Sequence, residues 1–352
     1  MDLIHPPTKG DLVEAVREAN TGRRRLLVIG GRRHLDKGNP ADVDAELWTT
    51  QLDRLVAYEP AEMIVVVEAG MRVGELRRML AEGGQEWPAD APDDATVGGV
   101  VASGATSPRR LKVGALRDSV LEAEVVTGDG RFVRSGARTV KNVTGYDLHK
   151  LVAGSLGTLG VIVQVALKVR PLPQARRSIH AAGSFGAARS LLEAVPAAAS
   201  VLVTSDGIEL RLEGWAAEVQ EQAEAAARVA DPLDSADDAP FPVSRPWEEA
   251  GVVAEAAVPP SRLEDLLEAE PALAAWGALA GVGIAWVGVE STEGPLTELR
   301  SRARSAGGIA PVIRGLGGLG NGSIAAEQVQ RRLKAAFDPN GVLAPGRGWA
   351  GI

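Results

Sequence analysis

Glycine clusters are the residues of this sequence best suited to holding a ligand. They occur in three segments of the first 160 residues, VIGGRRH, ATVGGVVASGATSPRRLKVGALRD and NVTGYDLHKLVAGSLGTLG. Glycine lets the backbone approach a flat or anionic group closely, and the exposed N–H groups can donate to phosphate. One cluster by itself is more often an ordinary turn, but three favour a large ligand. Because none has the G-x-G-x-x-G or Walker spacing, the common nucleotide-binding templates do not apply.

Basic residues follow the first cluster, where Arg32, Arg33 and His34 come directly after Gly30 and Gly31. Such side chains either pair with phosphate through charge-assisted hydrogen bonds or point to solvent. The sequence leaves both interpretations open.

Substrate chemistry has few candidate residues. Arg109, Arg110 and Arg314 could hold a carboxylate, although phosphate binding, ion pairs or a solvated surface would account for them equally well. His5, His149 and His180 are interpreted as surface or locally bonded histidines. No metal site is predicted.

Composition narrows the class of protein. The chain has 352 residues, a formal charge of −8 and no cysteine. This length favours two domains, and the acidic balance argues against nucleic acid as a partner. Without cysteine, no disulfide, iron–sulfur cluster or cysteinyl cofactor bond can form on this chain. The polar stretch MDLIHPPTKGDL resembles no signal peptide, and the most apolar stretch, 276–289, is too short to span a bilayer. A cytoplasmic protein is therefore expected.

Periodicity in the first half predicts alternating strands and helices. A helix is expected over 8–20, with Thr8 and Asp11 at its start, and another over 71–84. RLLVIGG and MIVVVEAG are typical of buried strands. VLEAEVVTGDGRFVRSG predicts a hairpin turning at 128–130, and VIVQVALKV predicts a half-buried strand with Gln164 and Lys168 facing outward.

The second half differs in composition from the first. The prolines of RPLPQARR predict a domain boundary near residue 172. Beyond it, alanine-rich helices such as GAARSLLEAVPAAA alternate with short apolar strands, and DPLDSADDAPFPVSRPWEEA is predicted to be a loop. The second half is therefore expected to be an α+β domain.

Three of these segments together resemble a known family. ATVGGVVASGATSPRR…GALRDSVLEAEVVTGDG, VKNVTGYDLHKLVAGSLGTLGVIVQVALKVRP and FDPNGVLAPGR are similar to flavoproteins with an FAD-binding domain of the vanillyl-alcohol oxidase and p-cresol methylhydroxylase type. Within that family the similarity is greatest to the smaller flavin subunit of bacterial glycolate oxidase. It is dense up to residue 173 and thinner over the last 45 residues.

The resemblance implies an α+β fold in three parts. These are an FAD-binding domain at 1–172, a smaller α+β cap domain at 173–325, and a segment at 326–352 that returns to the FAD domain. FAD is expected to be non-covalent, since cysteine is absent and His34 lacks the usual surroundings of a flavin-linked histidine. The implied cofactor-binding residues are Ile29, Gly30, Gly31, Arg32, Arg33, His34, Pro88, Thr96, Val97, Gly98, Gly99, Ala102, Ser103, Gly104, Arg109, Arg110, Gly114, Arg117, Asp118, Asn142, Thr144, Gly145, Tyr146, Asp147, Gly154, Gly157, Gly160, Val161, Ile162 and Arg347. For Asn142, Thr144, Tyr146 and Asp147, capping of the helix YDLHKLVAG is an equal alternative.

The resemblance also implies a function. The chain is expected to be an FAD-binding subunit of a glycolate oxidase-like 2-hydroxy acid dehydrogenase, passing electrons towards an iron–sulfur subunit beside a larger FAD-binding subunit. That larger subunit carries glutamate where this chain has Leu156, and a histidine-rich motif in a region where this chain has no histidine. The catalytic residue is therefore unknown. The alternatives are a stand-alone FAD-dependent dehydrogenase of a small hydroxy acid and a non-catalytic assembly subunit with a weakened FAD site. Partners could also hold the protein at the inner face of the membrane.

Overall fold

The structure is a computed structural model that describes residues 1–138, 146–268, 273, 275–320 and 324–352. The chain forms two compact units. The first comprises residues 1–106, 115–172 and 321–352, and the second comprises 107–114 and 173–320. Residues 107–114 thus pack with the second unit, although the predicted FAD-binding domain at 1–172 includes them.

The chain up to residue 172 forms short strands and helices. In order they are β1 (Asp2–Ile4), α1 (Lys9–Thr21), β2 (Leu26–Ile29), β3 (Ala45–Trp48), β4 (Leu55–Glu59), β5 (Ile64–Glu68), α2 (Val73–Glu82), β6 (Gln85–Glu86), α3 (Val97–Ser103), α4 (Arg110–Val113), β7 (Val120–Val126), β8 (Phe132–Gly136), β9 (Val161–Lys168) and β10 (Arg170–Pro171). Of these, α4 belongs to the second unit.

The predicted start of the first helix is confirmed. The Thr8 side-chain oxygen accepts from the backbone N–H of Asp11 at 3.2 Å, which satisfies one of the free donors at the beginning of α1. Leu12 and Val16 are then buried on the inner face. The helix α2 likewise buries Val73, Leu76 and Leu80, as its period predicts.

Two sheets organise the first unit. The strands β1, β3 and β2 form a parallel sheet in that order, and β4, β5, β9, β7 and β8 form an antiparallel sheet. The predicted hairpin is confirmed as β7 and β8. The prediction that β9 is half-buried is wrong, because β9 lies at the centre of its sheet. Gln164 is buried there and accepts a hydrogen bond from Lys9 at 2.7 Å.

The second unit is dominated by one large sheet. Its remaining elements are β11 (Ala175–Ala181), α5 (Phe185–Ala194), β12 (Ser200–Thr204), β13 (Gly207–Gly214), α6 (Ala216–Ala227), β14 (Pro232–Asp237), β15 (Val252–Ala257), α7 (Leu263–Glu268), β16 (Ala275–Leu279), β17 (Ile284–Val289), α8 (Pro295–Ser305) and β18 (Val312–Arg314). The strands pair in the order β14, β11, β13, β12, β16, β17, β15, β18. The α+β prediction is confirmed.

One predicted loop contains a strand. β14 lies within DPLDSADDAPFPVSRPWEEA and pairs antiparallel with β11 at the edge of the sheet. All six of its residues are exposed, so no apolar period marks it in the sequence. An acidic edge strand that begins with proline is typical of protection against further strand pairing.

The C-terminal segment returns to the first unit. Helix α9 (Ile324–Phe337) is followed by residues that lie beside β2, where Leu26 N–H donates to Val342 O and Ala344 N–H donates to Leu26 O, each at 2.7 Å. Buried Asp338 supports this stretch by accepting from Lys334 Nζ at 2.6 Å and from the N–H of Leu343 at 2.8 Å.

Candidate functional site

A cavity in the first unit lies between the end of β2, helix α3 and the segment 156–162. The predicted cofactor residues that line it are Gly30, Gly31, Arg32, Arg33, His34, Thr96, Gly98, Gly99, Ala102, Ser103, Gly157, Gly160, Ile162 and Arg347. Other lining residues, which the sequence analysis did not predict, are Val28, Leu35, Thr49, Ala95 and Leu156. The structure therefore brings the first glycine cluster and parts of the second and third to one cavity.

The remaining predicted cofactor residues do not line this cavity. They are Ile29, Pro88, Val97, Gly104, Arg109, Arg110, Gly114, Arg117, Asp118, Tyr146, Asp147, Gly154 and Val161. Asn142, Thr144 and Gly145 lie outside the described residues.

Several of these residues have local contacts of their own. Arg109 lies in the second unit, where it pairs with Glu213 at 3.4 Å. Tyr146 is 88% exposed, and Asp147 pairs with Lys150 at 3.2 Å. The Asp147 side chain makes no cap hydrogen bond to the 3-10 turn that follows it, so it does not act as the helix cap considered above. Arg314, the other carboxylate candidate, donates to the carbonyl oxygen of Ala250 at 2.9 Å.

The lining glycines are needed for packing inside the protein. A Cβ on Gly30 would collide with the Thr96 side chain, one on Gly31 would lie 2.6 Å from Asp94 O, and one on Gly98 would lie 2.6 Å from the Ala69 Cβ. Such contacts are far too short for carbon, so only glycine allows these segments to meet. The glycines thus bring backbone from distant parts of the sequence to the cavity wall.

Arg32 and Arg33 already have acidic partners. Arg32 has a left-handed backbone, with φ of 60°, and its guanidinium pairs with buried Glu46. It also lies 5.1 Å from the centre of the Trp48 ring, a cation–π arrangement, while Trp48 Nε1 donates to Glu46 at 3.0 Å. Arg33 Nε donates to Asp94 at 2.8 Å. These pairs hold both guanidinium groups on the protein.

Backbone and imidazole groups of the same loop are left for a ligand. Among the hydrogen bonds of the described residues, none uses the backbone N–H of Arg32, Arg33 or His34 as a donor. His34 Nε2 is buried and has no hydrogen-bond partner within the described part of the chain. Burial, and to a lesser extent Lys37, lower the pKa of His34, which favours the neutral imidazole. A buried polar atom of this kind is rare unless a water, an ion or a ligand satisfies it, and here the atom belongs to a residue that lines a cavity.

Arg347 reaches the same loop from the C-terminal segment. Its Nη2 donates to the carbonyl oxygens of Leu35 and Lys37, at 2.7 Å each, and lies 3.4 Å from that of His34. Burial lowers the pKa of Arg347, although nearby Asp36 opposes this. Arg347 thus lines the cavity while its guanidinium binds carbonyl oxygens of the loop.

Sequence reasoning missed the acidic partners and Leu156. A signal for Glu46 was present, because a single glutamate interrupts the apolar strand AELW. No such signal marks Asp94, which lies 61 positions from Arg33 in an Asp-rich stretch. Leu156 has a positive φ of 55°, a conformation that a leucine rarely adopts and that the sequence does not indicate.

Comparisons with known proteins agree with a cofactor site here. Residues 3–136 match the family model of the FAD binding domain. The glycolate oxidase subunit GlcE of Escherichia coli (strain K12) is 35% identical over 173 residues, which are 48% of this chain and 49% of that protein. The mitochondrial D-lactate dehydrogenase [cytochrome] of Arabidopsis thaliana is 29% identical over 178 residues, 49% of this chain and 30% of that protein. The match thus spans half or less of each relative's length.

A solved structure shows the same fold. An alkyldihydroxyacetonephosphate synthase superposes with a TM-score of 0.70 and 17% sequence identity, covering 97% of this chain and 76% of that one. Residues 3–136 therefore form an FAD binding domain, whose cofactor is FAD, and the chain has the same fold as this synthase. The predicted family resemblance and cofactor are confirmed.

The cavity residues fit such a cofactor. Side-chain-free backbone, unused N–H groups and the unpartnered His34 Nε2 together suit a ligand with a flat ring system and a diphosphate. Over the described residues, no group of three or more His, Asp or Glu side chains could hold a metal ion. Nor does any helix in that part of the chain have the length and apolarity needed to cross a membrane.

Proposed function

We propose that this chain is the FAD-carrying oxidoreductase subunit of a glycolate oxidase-like complex that dehydrogenates a small 2-hydroxy acid. The observation that carries the proposal is the match of residues 3–136 to the FAD binding domain, together with 35% identity to a glycolate oxidase subunit. Electrons would leave towards an iron–sulfur subunit, and a larger FAD-binding subunit would complete the complex. Such a complex needs no membrane-spanning helix on this chain, and we propose that it works in the cytoplasm.

The lining residues of the cavity would hold FAD without a covalent bond. Unused N–H groups at Arg32, Arg33 and His34 suit the diphosphate, because successive amides form an anion-binding concavity. The guanidinium groups of Arg32 and Arg33 would stay on Glu46 and Asp94. The other predicted cofactor residues remain part of this proposal, and of these Asn142, Thr144 and Gly145 lie outside the described residues. When bound, FAD supplies the capacity to accept a hydride.

No catalytic base is assigned. Removing the proton of a 2-hydroxyl group needs a base or a metal near the flavin. An aspartate can serve only when burial raises its pKa, and Asp147 is exposed and paired with Lys150. This supports a subunit that depends on a partner for substrate oxidation. Two alternatives remain: a stand-alone dehydrogenase with an unidentified base, and an assembly subunit with a weakened FAD site.

The first test is the visible spectrum of the purified chain. Flavin absorbance should persist through gel filtration, and acid precipitation should release the colour into the supernatant. A colourless chain that does not take up added FAD would favour the assembly subunit. Colour that stays in the pellet, with the mass of one flavin added to the chain, would contradict non-covalent binding.

The second test is reduction under anaerobic conditions. Mixing the FAD-loaded chain with excess glycolate or D-lactate should leave the flavin absorbance unbleached. Co-expression with a larger flavin subunit and an iron–sulfur subunit should give dye reduction by glycolate. Rapid bleaching in the isolated chain would support the stand-alone dehydrogenase instead.

A further inference from the structure

The loop that bears the unused N–H groups has no regular secondary structure. Between the end of β2 at Ile29 and the start of β3 at Ala45, the chain forms neither helix nor strand. Two of its residues have left-handed backbones, Arg32 with φ of 60° and Gly38 with φ of 108°. Because no ladder of hydrogen bonds sets its shape, contacts from elsewhere must fix this loop.

Residues 347 and 348 supply the contacts to the second part of this loop. Arg347 Nη2 donates to the carbonyl oxygens of Leu35 and Lys37, at 2.7 Å each, and lies 3.4 Å from that of His34. In the opposite direction, Asn39 N–H donates to Arg347 O at 2.9 Å, and Asn39 Nδ2 donates to Gly348 O at 2.7 Å. The loop and the C-terminal segment are thus tied by bonds that run both ways.

The Arg347 guanidinium is well buried for a charged group. The residue is 7% exposed, and the groups that satisfy its charge are mainly backbone carbonyls of the loop. A buried cation that loses such acceptors is strongly unfavourable, so the carbonyls and the cation hold each other in place. This arrangement restrains the backbone of residues 34–37, which carries the His34 imidazole at the cavity wall.

The C-terminal segment is anchored independently of Arg347. Its residues 342–344 pair with Leu26 on β2, and Asp338 accepts from the N–H groups of Val342 and Leu343 at 2.9 and 2.8 Å. Truncation of the Arg347 side chain should therefore leave the segment in place and release only the loop. The effect of Arg347 can in this way be separated from the folding of the first unit.

We propose that Arg347 is a positioning residue for the FAD cavity. By holding the loop of residues 34–39, it keeps His34 Nε2 and the neighbouring N–H groups at the cavity wall. The inference rests on the proposed FAD site. It adds that docking of residues 347–348 onto the loop of residues 34–39 and binding of FAD favour each other. Such coupling is reciprocal, since each event shifts the other by the same factor.

Limited trypsin digestion provides a direct readout, because Arg32, Arg33 and Lys37 are all trypsin sites within the loop. In the absence of FAD, Arg347→Ala should raise the initial rate of cleavage at these sites by about tenfold or more, since cleavage follows the population of the open loop. Arg332→Ala, which removes an exposed arginine from the same C-terminal segment, is the matched control and should leave loop cleavage within about twofold of wild type. Unchanged loop cleavage in a folded Arg347→Ala variant would overturn the proposal.

FAD titration of the same apo proteins tests the coupling. The dissociation constant of FAD should rise about tenfold or more in Arg347→Ala and stay near the wild-type value in Arg332→Ala. In the wild type, added FAD should slow cleavage after Arg347 itself, because the ligand favours the docked segment. If loop cleavage rises while FAD affinity is unchanged, the positioning role is wrong. If wild type binds no FAD, the proposed function fails, and loop cleavage still reports on the Arg347 contact.

Two further variants keep the test decisive if Arg347→Ala does not fold. Arg347→Lys retains a buried cation but lacks the planar fork, so it should show intermediate cleavage and intermediate FAD affinity. Asn39→Ala removes the side-chain bond to Gly348 O from the loop side and should also speed cleavage at Lys37. Wild-type behaviour of both variants, with unaltered thermal unfolding, would overturn the proposal as well.

Discussion

The buried polar groups at the cavity of the first unit differ from the buried charges along β13 of the second unit. At the cavity of the first unit, His34 Nε2 is buried without a partner, and three neighbouring N–H groups are unused among the described contacts. In the second unit, charged side chains are buried just as deeply along β13, but each has a partner. Glu213 is 1% exposed and Arg211 is 5% exposed.

The charged residues of β13 satisfy one another and the backbone. Glu213 lies 3.1 Å from Arg211 and 3.4 Å from Arg109. Arg211 also donates to Ser178 Oγ and to Ala239 O, at 2.9 Å each. Glu209 accepts from the N–H of Val243 at 2.8 Å. Glu209, Arg211 and Glu213 alternate along β13, so their side chains lie on one face of the sheet. The apolar core that packs against the helices lies on the opposite face.

The paired charges of β13 and the unpartnered polar groups at the cavity therefore have different roles. A paired buried charge has a role within the fold, and removing one partner leaves the other uncompensated. An unpartnered buried atom at a cavity is more informative about a ligand, because folding alone gives no reason for it. Mutations in β13 should therefore change stability, whereas mutations at the cavity should change FAD affinity.

The largest expected effect is on stability in the second unit. Glu213→Ala should lower the free energy of unfolding by about 3–5 kcal/mol, since it leaves buried arginine without its carboxylate. FAD affinity of the remaining folded protein should be unchanged. Thermal or urea unfolding measures the first effect, and FAD titration measures the second.

A matched control lies in the same unit. Glu298→Ala removes a carboxylate that pairs with Arg302 at 2.7 Å on the surface of α8, and it should cost less than about 0.5 kcal/mol. If both substitutions lower the free energy of unfolding equally, the buried pair of β13 contributes no more to stability than the surface pair of α8. Loss of FAD binding in folded Glu213→Ala would contradict the separation of roles.

Local elements could be predicted from the sequence because their causes are local. The cap of α1 depends on residues three positions apart, and the β7–β8 turn depends on the consecutive residues Gly128, Asp129 and Gly130. Two features of the fold could not be predicted: β14 depends on its pairing with β11, and the burial of Gln164 depends on the central position of β9.

At the site, the glycine clusters indicated the cavity. The partners of Arg32 and Arg33 lie on other elements, so spacing alone could not reveal that their charges are neutralised.

The second expected effect is on cofactor binding. Gly157 lines the cavity with φ of 79°, and a Cβ there would lie 3.3 Å from Val28. Gly157→Leu should therefore cost about 1–2 kcal/mol through the backbone and also place a side chain in the cavity wall. We expect FAD occupancy to fall about tenfold or more in a folded protein. The absorbance ratio of flavin to protein after gel filtration gives this value.

Gly84→Leu separates the two causes. Gly84 has a similar φ of 67°, and a Cβ there would meet no atom within 4 Å. It should show the backbone cost without the loss of FAD. Full FAD occupancy in Gly157→Leu would mean that this glycine serves only the turn that precedes β9.

The smallest expected effect concerns the Arg33 side chain. Its guanidinium pairs with Asp94, and both side chains are 51% exposed, so the pair contributes less than about 1 kcal/mol to stability. If the backbone N–H groups hold the diphosphate, Arg33→Ala should raise the dissociation constant of FAD by less than about threefold, because the amide remains. A guanidinium that leaves Asp94 to bind phosphate would instead make a charge-assisted hydrogen bond, and its loss would weaken FAD binding about tenfold or more. Asp94→Ala, which removes the partner of Arg33, distinguishes these two cases. If backbone N–H groups bind the diphosphate, FAD affinity should be unchanged. If the released Arg33 side chain reaches the cofactor, FAD should bind more tightly. Titration of apo wild type, Arg33→Ala, Asp94→Ala and the double variant therefore shows whether the cavity uses main-chain or side-chain donors.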